Sequence, residues 1–435
     1  MNHRAFGLSL FIGAISFGLT LPLVVRKVVA SRFDQSQTSI LHSSRTSTSR
    51  ELGDELFELL AMEPASDAAD SAYKQPVTLF DQIRHRVDVS AERSTRQSFR
   101  ILQFGDSHTA GDFFTDQLRI SLKQKFGDAG IGWIQPFPVP GQRTALYTLK
   151  RLGRWTTHYQ KSRASKLSLP IGGYSAWGSP GSRISVIPAR PLPRVGKVQF
   201  SALVRSRQAS LAQASFRVGP QSVIAKPVGQ SWQLITGEFS PQNSRSFDFV
   251  VDRGTVEVAA LFLDSDQNGV TVESIGRNSA ELSWQQNWSI PSMKALFKDR
   301  PVDLIVFAYG TNEAVDTIGS QQYLSVLNRQ IQRFKDILPQ TPIVIVSVPS
   351  FAQYPNSSCR KPHSLLNIHA AQDLFGQKVM GVSTWSWLQA MGGPCAVRNW
   401  ANQGRMASDW IHFSAAGYRQ SAILFERWLS QNQFN

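Results

Sequence analysis

Residues Val302 to Ala308 are apolar at every position but Asp303, the pattern of a strand buried on both faces. Arg100 to Phe104 reads as a shorter apolar strand, and Ile343 to Val348 as a third, closed by Pro349. Helical spacing follows the first two. Phe113, Leu118, Leu122 and Phe126 predict a helix from about Thr109 to Phe126, and another is expected over Tyr323 to Leu338. Strands and helices alternating in this way predict an α/β unit with a largely parallel sheet. The middle of the chain reads differently. From about Tyr147 to Asp266 short β-like runs (Arg183 to Ile187, Val198 to Val204, Phe247 to Val251, Val256 to Leu263) are punctuated by Gly, Pro and Ser. They predict an inserted β-sandwich or jelly-roll-like unit. The expected divisions are a catalytic unit in two parts, 76–146 and 267–435, with the insertion at 147–266.

Upstream, Ala5 to Val25 is an uncharged run rich in Leu, Ile, Phe and Val, just reaching the roughly 20 residues that cross a hydrocarbon layer. It exceeds the usual signal-peptide core of about 7–15 residues, and Arg26 and Lys27 follow without a small-x-small site. An uncleaved inner-membrane anchor over residues 1–29 is therefore expected, with a cleaved signal as its rival. Residues 30–75 read as a basic, polar tether with one short helix over Glu51 to Met62. Lys and Arg flank both ends of the apolar run, and their count favours a cytoplasmic domain. The chemistry below favours the periplasm, and the expectation follows the chemistry.

The 435 residues, 42% hydrophobic and 18% charged, have the composition of a folded protein. Lys plus Arg number 46 against 31 Asp plus Glu, but the cations are scattered and no helix-turn-helix or zinc pattern accompanies them. No nucleic-acid partner is expected; an anionic polymer as substrate would use the same field. The two cysteines, Cys359 and Cys395, lack the clustered spacing of a zinc or iron–sulfur site. They pair as one disulfide in an exported chain, or stay buried and unpaired.

Three distant stretches carry the candidate chemistry. Ser107 in Gly105-Asp106-Ser107-His108 sits where a strand ends and a helix begins, the place for an exposed nucleophile beside helix-start amides. Asp409 and His412 are three apart, so the carboxylate can hold one ring nitrogen while the other faces Ser107. Asn312 follows the most hydrophobic strand on a loop begun by Gly310, and a neutral amide suits an oxyanion donor, worth about 3 kcal/mol in a transition state. Each has a plainer reading: Asp106, Ser107 or Asp409 as a helix cap, Asn312 as a turn residue. His108 reads as helix-start packing or a second base, and Glu313 as a residue holding the Asn312 loop. Trp385, Trp387 and Trp400 line a sugar groove or belong to the core. Asp128, Asp303 and Glu313 form no persuasive metal cluster, and no metal or organic cofactor is expected.

On these blocks the chain resembles the SGNH, or GDSL-like, hydrolases. Within them it is most similar to peptidoglycan O-acetylesterases of the Gram-negative periplasm. The supporting text is Ile101 to Thr109, Phe126 to Gly132, Asp303 to Val306 leading to Gly310-Thr311-Asn312-Glu313-Ala314, and His412 to Tyr418. The resemblance implies a three-layer flavodoxin-like fold interrupted by a carbohydrate-binding-like β domain. It implies Ser107 as nucleophile, His412 as base, Asp409 as its orienter, and an oxyanion hole of Ser107, Gly276 and Asn312, with Gly173 a rival to Gly276. Relatives carry Gly-x-Asn-Gly-Ala in the second block, where this chain has Ser279 in place of the second Gly. The expected activity is removal of O-acetyl groups from a cell-envelope polysaccharide, peptidoglycan foremost. Transfer of the acetyl group to a sugar hydroxyl, deacetylation of another exopolysaccharide, and non-catalytic polysaccharide binding are the alternatives.

Overall fold

The computed structural model describes residues 77–93, 98–160, 168–190, 192, 196–240, 245–352 and 364–434. The anchor expected over 1–29 and the tether of 30–75 with its short helix lie outside the described residues. No helix among the described residues is long and apolar enough to cross a membrane.

Five strands form a parallel sheet: β1 (Ser98–Gly105), β2 (Gly269–Gly276), β3 (Leu304–Ala308), β4 (Ile343–Val346) and β5 (Val382–Trp385). Their order is β2-β1-β3-β4-β5. This flavodoxin-like order reverses direction between β1 and β3, the switch point at whose carboxyl ends sheets of this kind bind their ligands. The helices are α1 (Leu79–Arg93), α2 (Ser107–Ala110), α3 (Phe113–Phe126), α4 (Ile290–Asp299), α5 (Thr311–Val315), α6 (Ser320–Lys335), α7 (Leu365–Lys378), α8 (Trp387–Met391), α9 (Ala396–Asn402) and α10 (Ala415–Gln431).

Period-two alternation sorts the strand side chains between two cores. Leu102, Phe104, Ile305, Phe307, Ile343 and Ile345 pack with residues of α4, α6 and α7. Their neighbours Ile101, Leu304, Val306, Val344 and Val346 pack with residues of α1, α3, α8, α9 and α10. Both faces of the sheet are thus covered, which is why these strands read as continuous apolar runs rather than alternating ones.

The helix expected over Thr109 to Phe126 is two helices. Asp112 breaks it, with φ 58° in the left-handed region. The conformation is held because the Asp112 carboxylate accepts bonds from Thr115 Oγ1 (2.6 Å), Arg119 Nη2 (3.1 Å) and the Ala145 N–H (3.0 Å). Asp and Asn adopt this region more readily than other non-glycine residues.

Between β1 and β2 the chain builds two antiparallel sheets. One runs Gln221–Ile224, Gln213–Val218, Phe247–Arg253, Arg183–Pro188, Tyr147–Leu152. The other runs Gln233–Phe239, Val198–Ser206, Val256–Ser265, Tyr174–Gly178, Trp155–Tyr159, and Gly130–Ile134 also pairs with Val256–Ser265. Phe216, Phe247 and Phe249 of the first pack on Phe200, Val204 and Leu261 of the second, with Phe200 and Phe216 centroids 5.1 Å apart. The opposite face of the second sheet, through Leu203, Ala260 and Phe262, joins the core that also holds Phe104 and Phe307.

A buried ionic cluster reinforces that junction. Arg300, following α4, donates to both oxygens of Asp264 (3.1 and 2.8 Å) in the antiparallel sheet and to Glu273 of β2 (2.9 Å). All three side chains are buried. Cys395, before α9, is disulfide-bonded; the chain's other cysteine, Cys359, lies outside the described residues.

Candidate active site

Ser107 is the first residue of α2, at the carboxyl end of β1. The turn is tight because Gly105 has no side chain. A Cβ there would lie 2.1 Å from Thr109 Oγ1 and 2.7 Å from the Ala308 carbonyl. Asp106 caps the helix, accepting the His108 N–H at 2.9 Å, so the capping role falls to Asp106 and leaves the Ser107 hydroxyl available.

His412 Nε2 lies 2.8 Å from Ser107 Oγ, and His412 Nδ1 lies 2.6 Å from Asp409 Oδ2. Asp409 also accepts the backbone N–H groups of Ile411 (3.0 Å) and His412 (2.9 Å), so the turn presents its histidine at a fixed angle. Trp410, with φ 55°, makes that turn possible, and the Ser414 cap starts α10 directly afterwards. Burial on its own would raise the Asp409 pKa, but the bonds from the His412 ring and the two N–H groups outweigh it and hold the carboxyl well below its ordinary value. The bond to Asp409 raises the His412 pKa, opposed by burial.

Asn312, in α5, donates from Nδ2 to the Ala280 carbonyl at 2.8 Å. An amide nitrogen has two hydrogens, so one remains for a ligand. Gly276 ends β2 directly beside Gly105. A Cβ at Gly276 would lie 2.1 Å from the Ala110 nitrogen, so glycine is what lets β2 approach α2, and its carbonyl accepts Gln142 Nε2 at 2.5 Å. Ser279 adopts φ 59°, a conformation suited to the glycine that relatives carry there. Gly173, its N–H donating to the Pro170 carbonyl, packs on Trp288.

The neighbours divide cleanly. His108 is buried with Nδ1 3.0 Å from the Tyr418 hydroxyl, and burial pushes its pKa down to about 3. It stays neutral, packed 5.4 Å from the His412 ring. Glu313 accepts the Leu282 N–H at 2.8 Å, and burial pushes its pKa up to about 8. It holds the Asn312 loop against the segment that follows Ala280. Trp385, Trp387 and Trp400 are core residues, packed with Phe114, Phe413 and Phe425. Asp128 pairs with Lys123, Asp303 with Arg86, and Glu313 with a backbone amide, each in its own surroundings. Sequence reasoning gave no role to Arg277, which opens the turn between Gly276 and Ala280 and stacks on three aromatic rings.

A hydroxyl, an imidazole and a carboxylate in series can generate an alkoxide, and the Asn312 amide, on the segment after the adjacent strand β3, is of the chemical type that stabilises an oxyanion. A family profile described as the N-terminal part of peptidoglycan O-acetylesterase matches residues 129–241. Among solved structures, one titled "Peptidoglycan O-acetylesterase in action, 5 min" is 29% identical, with a TM-score of 0.66, over 80% of this chain and 96% of that one. A putative GDSL-like lipase from Parabacteroides merdae is 14% identical over 38% of this chain and 74% of its own, with a TM-score of 0.30. No curated protein matches the sequence.

Proposed function

We propose that this chain, an SGNH hydrolase related to the peptidoglycan O-acetylesterases, uses Ser107, His412 and Asp409 to remove O-acetyl groups from peptidoglycan in the cell envelope. The observation that carries the residue roles is the unbroken relay from Ser107 Oγ through His412 to Asp409, at 2.8 and 2.6 Å. His412 Nε2 takes the Ser107 proton as Oγ attacks the acetyl carbonyl. The tetrahedral oxyanion is received by the Ser107 N–H, the second Asn312 amide hydrogen and the Gly276 N–H. His412 returns the proton to the departing sugar oxygen, leaving an acetyl-serine. Water, deprotonated by the same imidazole, then attacks that ester and releases acetate. Asp409 fixes the tautomer that leaves Nε2 free to accept and stabilises the imidazolium.

We read the two packed antiparallel sheets as a jelly-roll-like, carbohydrate-binding unit that presents glycan to the triad, and we place the enzyme in the periplasm. The basic excess of the chain suits an acidic polymer. The test is acetate release from O-acetylated peptidoglycan, measured against acetylated xylan. Selective release from peptidoglycan is the expected result. Equal rates on both polymers would overturn the substrate assignment, and transfer to an added oligosaccharide in place of acetate release would turn the reading to an acetyltransferase.

The pH dependence follows from the same relay. His412 works as a base only when neutral, and its pKa lies above the ordinary 6.5. Activity is therefore present above that pKa and lost as pH falls through it. Asp106, which burial pushes up to about 7, titrates in the same range, and its ionised form further favours the imidazolium. An acid limb of kcat/KM with its midpoint above 6.5 is expected, moving to lower pH in Asp409→Asn. A limb unmoved by that substitution would contradict the role given to Asp409.

A further inference from the structure

The turn Arg277 to Ala280 joins the two halves of the site. The Arg277 N–H donates to the Gly105 carbonyl at 3.0 Å, just before the nucleophile, and the Ala280 carbonyl accepts the Asn312 amide. The Arg277 side chain is held among aromatic rings. Its guanidinium carbon lies 4.7 Å from the Trp284 ring centroid and 5.3 Å from those of Tyr159 and Tyr174. Contacts of this kind orient a guanidinium while leaving its N–H donors unused. Among the described residues, no carboxylate forms an ion pair with it. Burial lowers its pKa, and only the two tyrosines oppose the shift.

The same cluster holds two further donors without acceptors. The Tyr174 hydroxyl and the Trp284 indole N–H are both buried, and neither has a hydrogen-bond partner among the described residues. A half-buried cation with no counter-ion, surrounded by idle donors, departs from the usual rule that buried charges are paired and buried polar groups are bonded. Among the described residues, the two most deeply buried guanidinium groups are paired: Arg119 with Asp112 and Asp116, and Arg300 with Asp264 and Glu273. An anion with several acceptor sites would complete the Arg277 cluster. A carboxylate has that character, and Arg is suited to hold it by two parallel bonds.

We propose that Arg277, with Tyr174 and Trp284, forms a subsite for a carboxylate of the acetylated substrate, selecting acidic glycan esters over neutral ones. The inference rests on the esterase reading above and adds the feature by which the substrate is chosen. Arg277 touches the substrate away from the reacting carbonyl, so its contribution falls on KM more than on kcat.

The experiment compares O-acetylated muropeptide with free carboxylates, the same muropeptide with its carboxylates amidated, and 4-nitrophenyl acetate. For the unsubstituted protein, kcat/KM should favour the free-carboxylate form over the amidated form by tenfold or more. In Arg277→Gln that ratio should fall close to one, mainly through KM. A peptide-free acetylated saccharide that keeps the preference places the carboxylate on the sugar; one that loses it places the carboxylate on the peptide stem. The subsite is overturned if the unsubstituted protein does not distinguish the two muropeptides, a result that does not depend on folding of the variant. It is also overturned if Arg277→Gln loses the same factor on all three substrates, which is the mark of a displaced turn. Turnover of 4-nitrophenyl acetate without acetate release from either muropeptide would instead overturn the assignment of peptidoglycan as substrate, and the subsite with it.

Discussion

Ser107→Ala should abolish ester turnover, lowering kcat by a factor on the order of 10⁴ to 10⁶, as found when a triad nucleophile is removed. The loss is this large because nucleophile and base act as one unit. Without Oγ, His412 has only water to activate, and no acyl-enzyme divides the reaction into two smaller steps. The fold should persist. The tight turn depends on Gly105, and the cap of α2 is the Asp106 carboxylate, so neither calls on the serine hydroxyl. Hydrolysis of 4-nitrophenyl acetate, measured alongside thermal unfolding, separates the two effects. A variant that unfolds like the parent yet keeps more than about a tenth of its turnover would remove Ser107 from the mechanism.

Arg300→Ala should be the most destabilising of the single changes considered. The guanidinium is 3% exposed and pairs with Asp264 and Glu273, at 5% and 1% exposure. Burial opposes its charge, but the two carboxylates outweigh burial and hold it protonated. Truncation leaves both acids buried, with Arg100, 3.6 Å from Asp264, as a neighbouring cation. Breaking such a cluster by removing one partner costs about 3–5 kcal/mol. It also strips the guanidinium from the Phe262 ring, 4.4 Å away. Urea denaturation should register the loss as a lower midpoint at unchanged slope. A change below about 1 kcal/mol would mean that water relaxes into the cluster and solvates the acids.

The two largest features of the molecule were legible for different reasons. The parallel strands could be read because both sheet faces are covered, so Leu304 to Ala308 and Ile343 to Val346 carry unbroken apolar runs. Ser107, Asn312, Asp409 and His412 could be read because each motif is local and follows a strand end or precedes a helix. Their convergence across the chain could be inferred only from the chemistry they share. What stayed hidden depends on tertiary partners. The break at Asp112 is set by Arg119 and Ala145, contacts that no periodicity reveals. Gly130–Ile134 gave no strand signal of its own, and it pairs with Val256–Ser265, distant in sequence. Helices α8 and α9 are a turn or two long, too short for an apolar period to repeat. Trp385, Trp387 and Trp400 stood equally well as sugar platforms or as core until their packing against Phe413 and Phe425 was known. Arg277 was visible as a letter, but its lack of a counter-ion among the described residues is a property of three dimensions.

The strand that delivers Ser107 hydrogen-bonds on one side to β2 and on the other to β3, and both lie beyond the antiparallel sheets in the chain. A ribosome therefore releases β1 long before either neighbour exists. Until then both of its edges are bare, and an apolar strand with open edges is an invitation to aggregate. Contacts this distant in sequence also close slowly. Holding the nascent segment apart from other chains until Gly269–Gly276 arrives is thus a demand that this architecture places on the cell, and a fragment ending before β2 should collect in inclusion bodies.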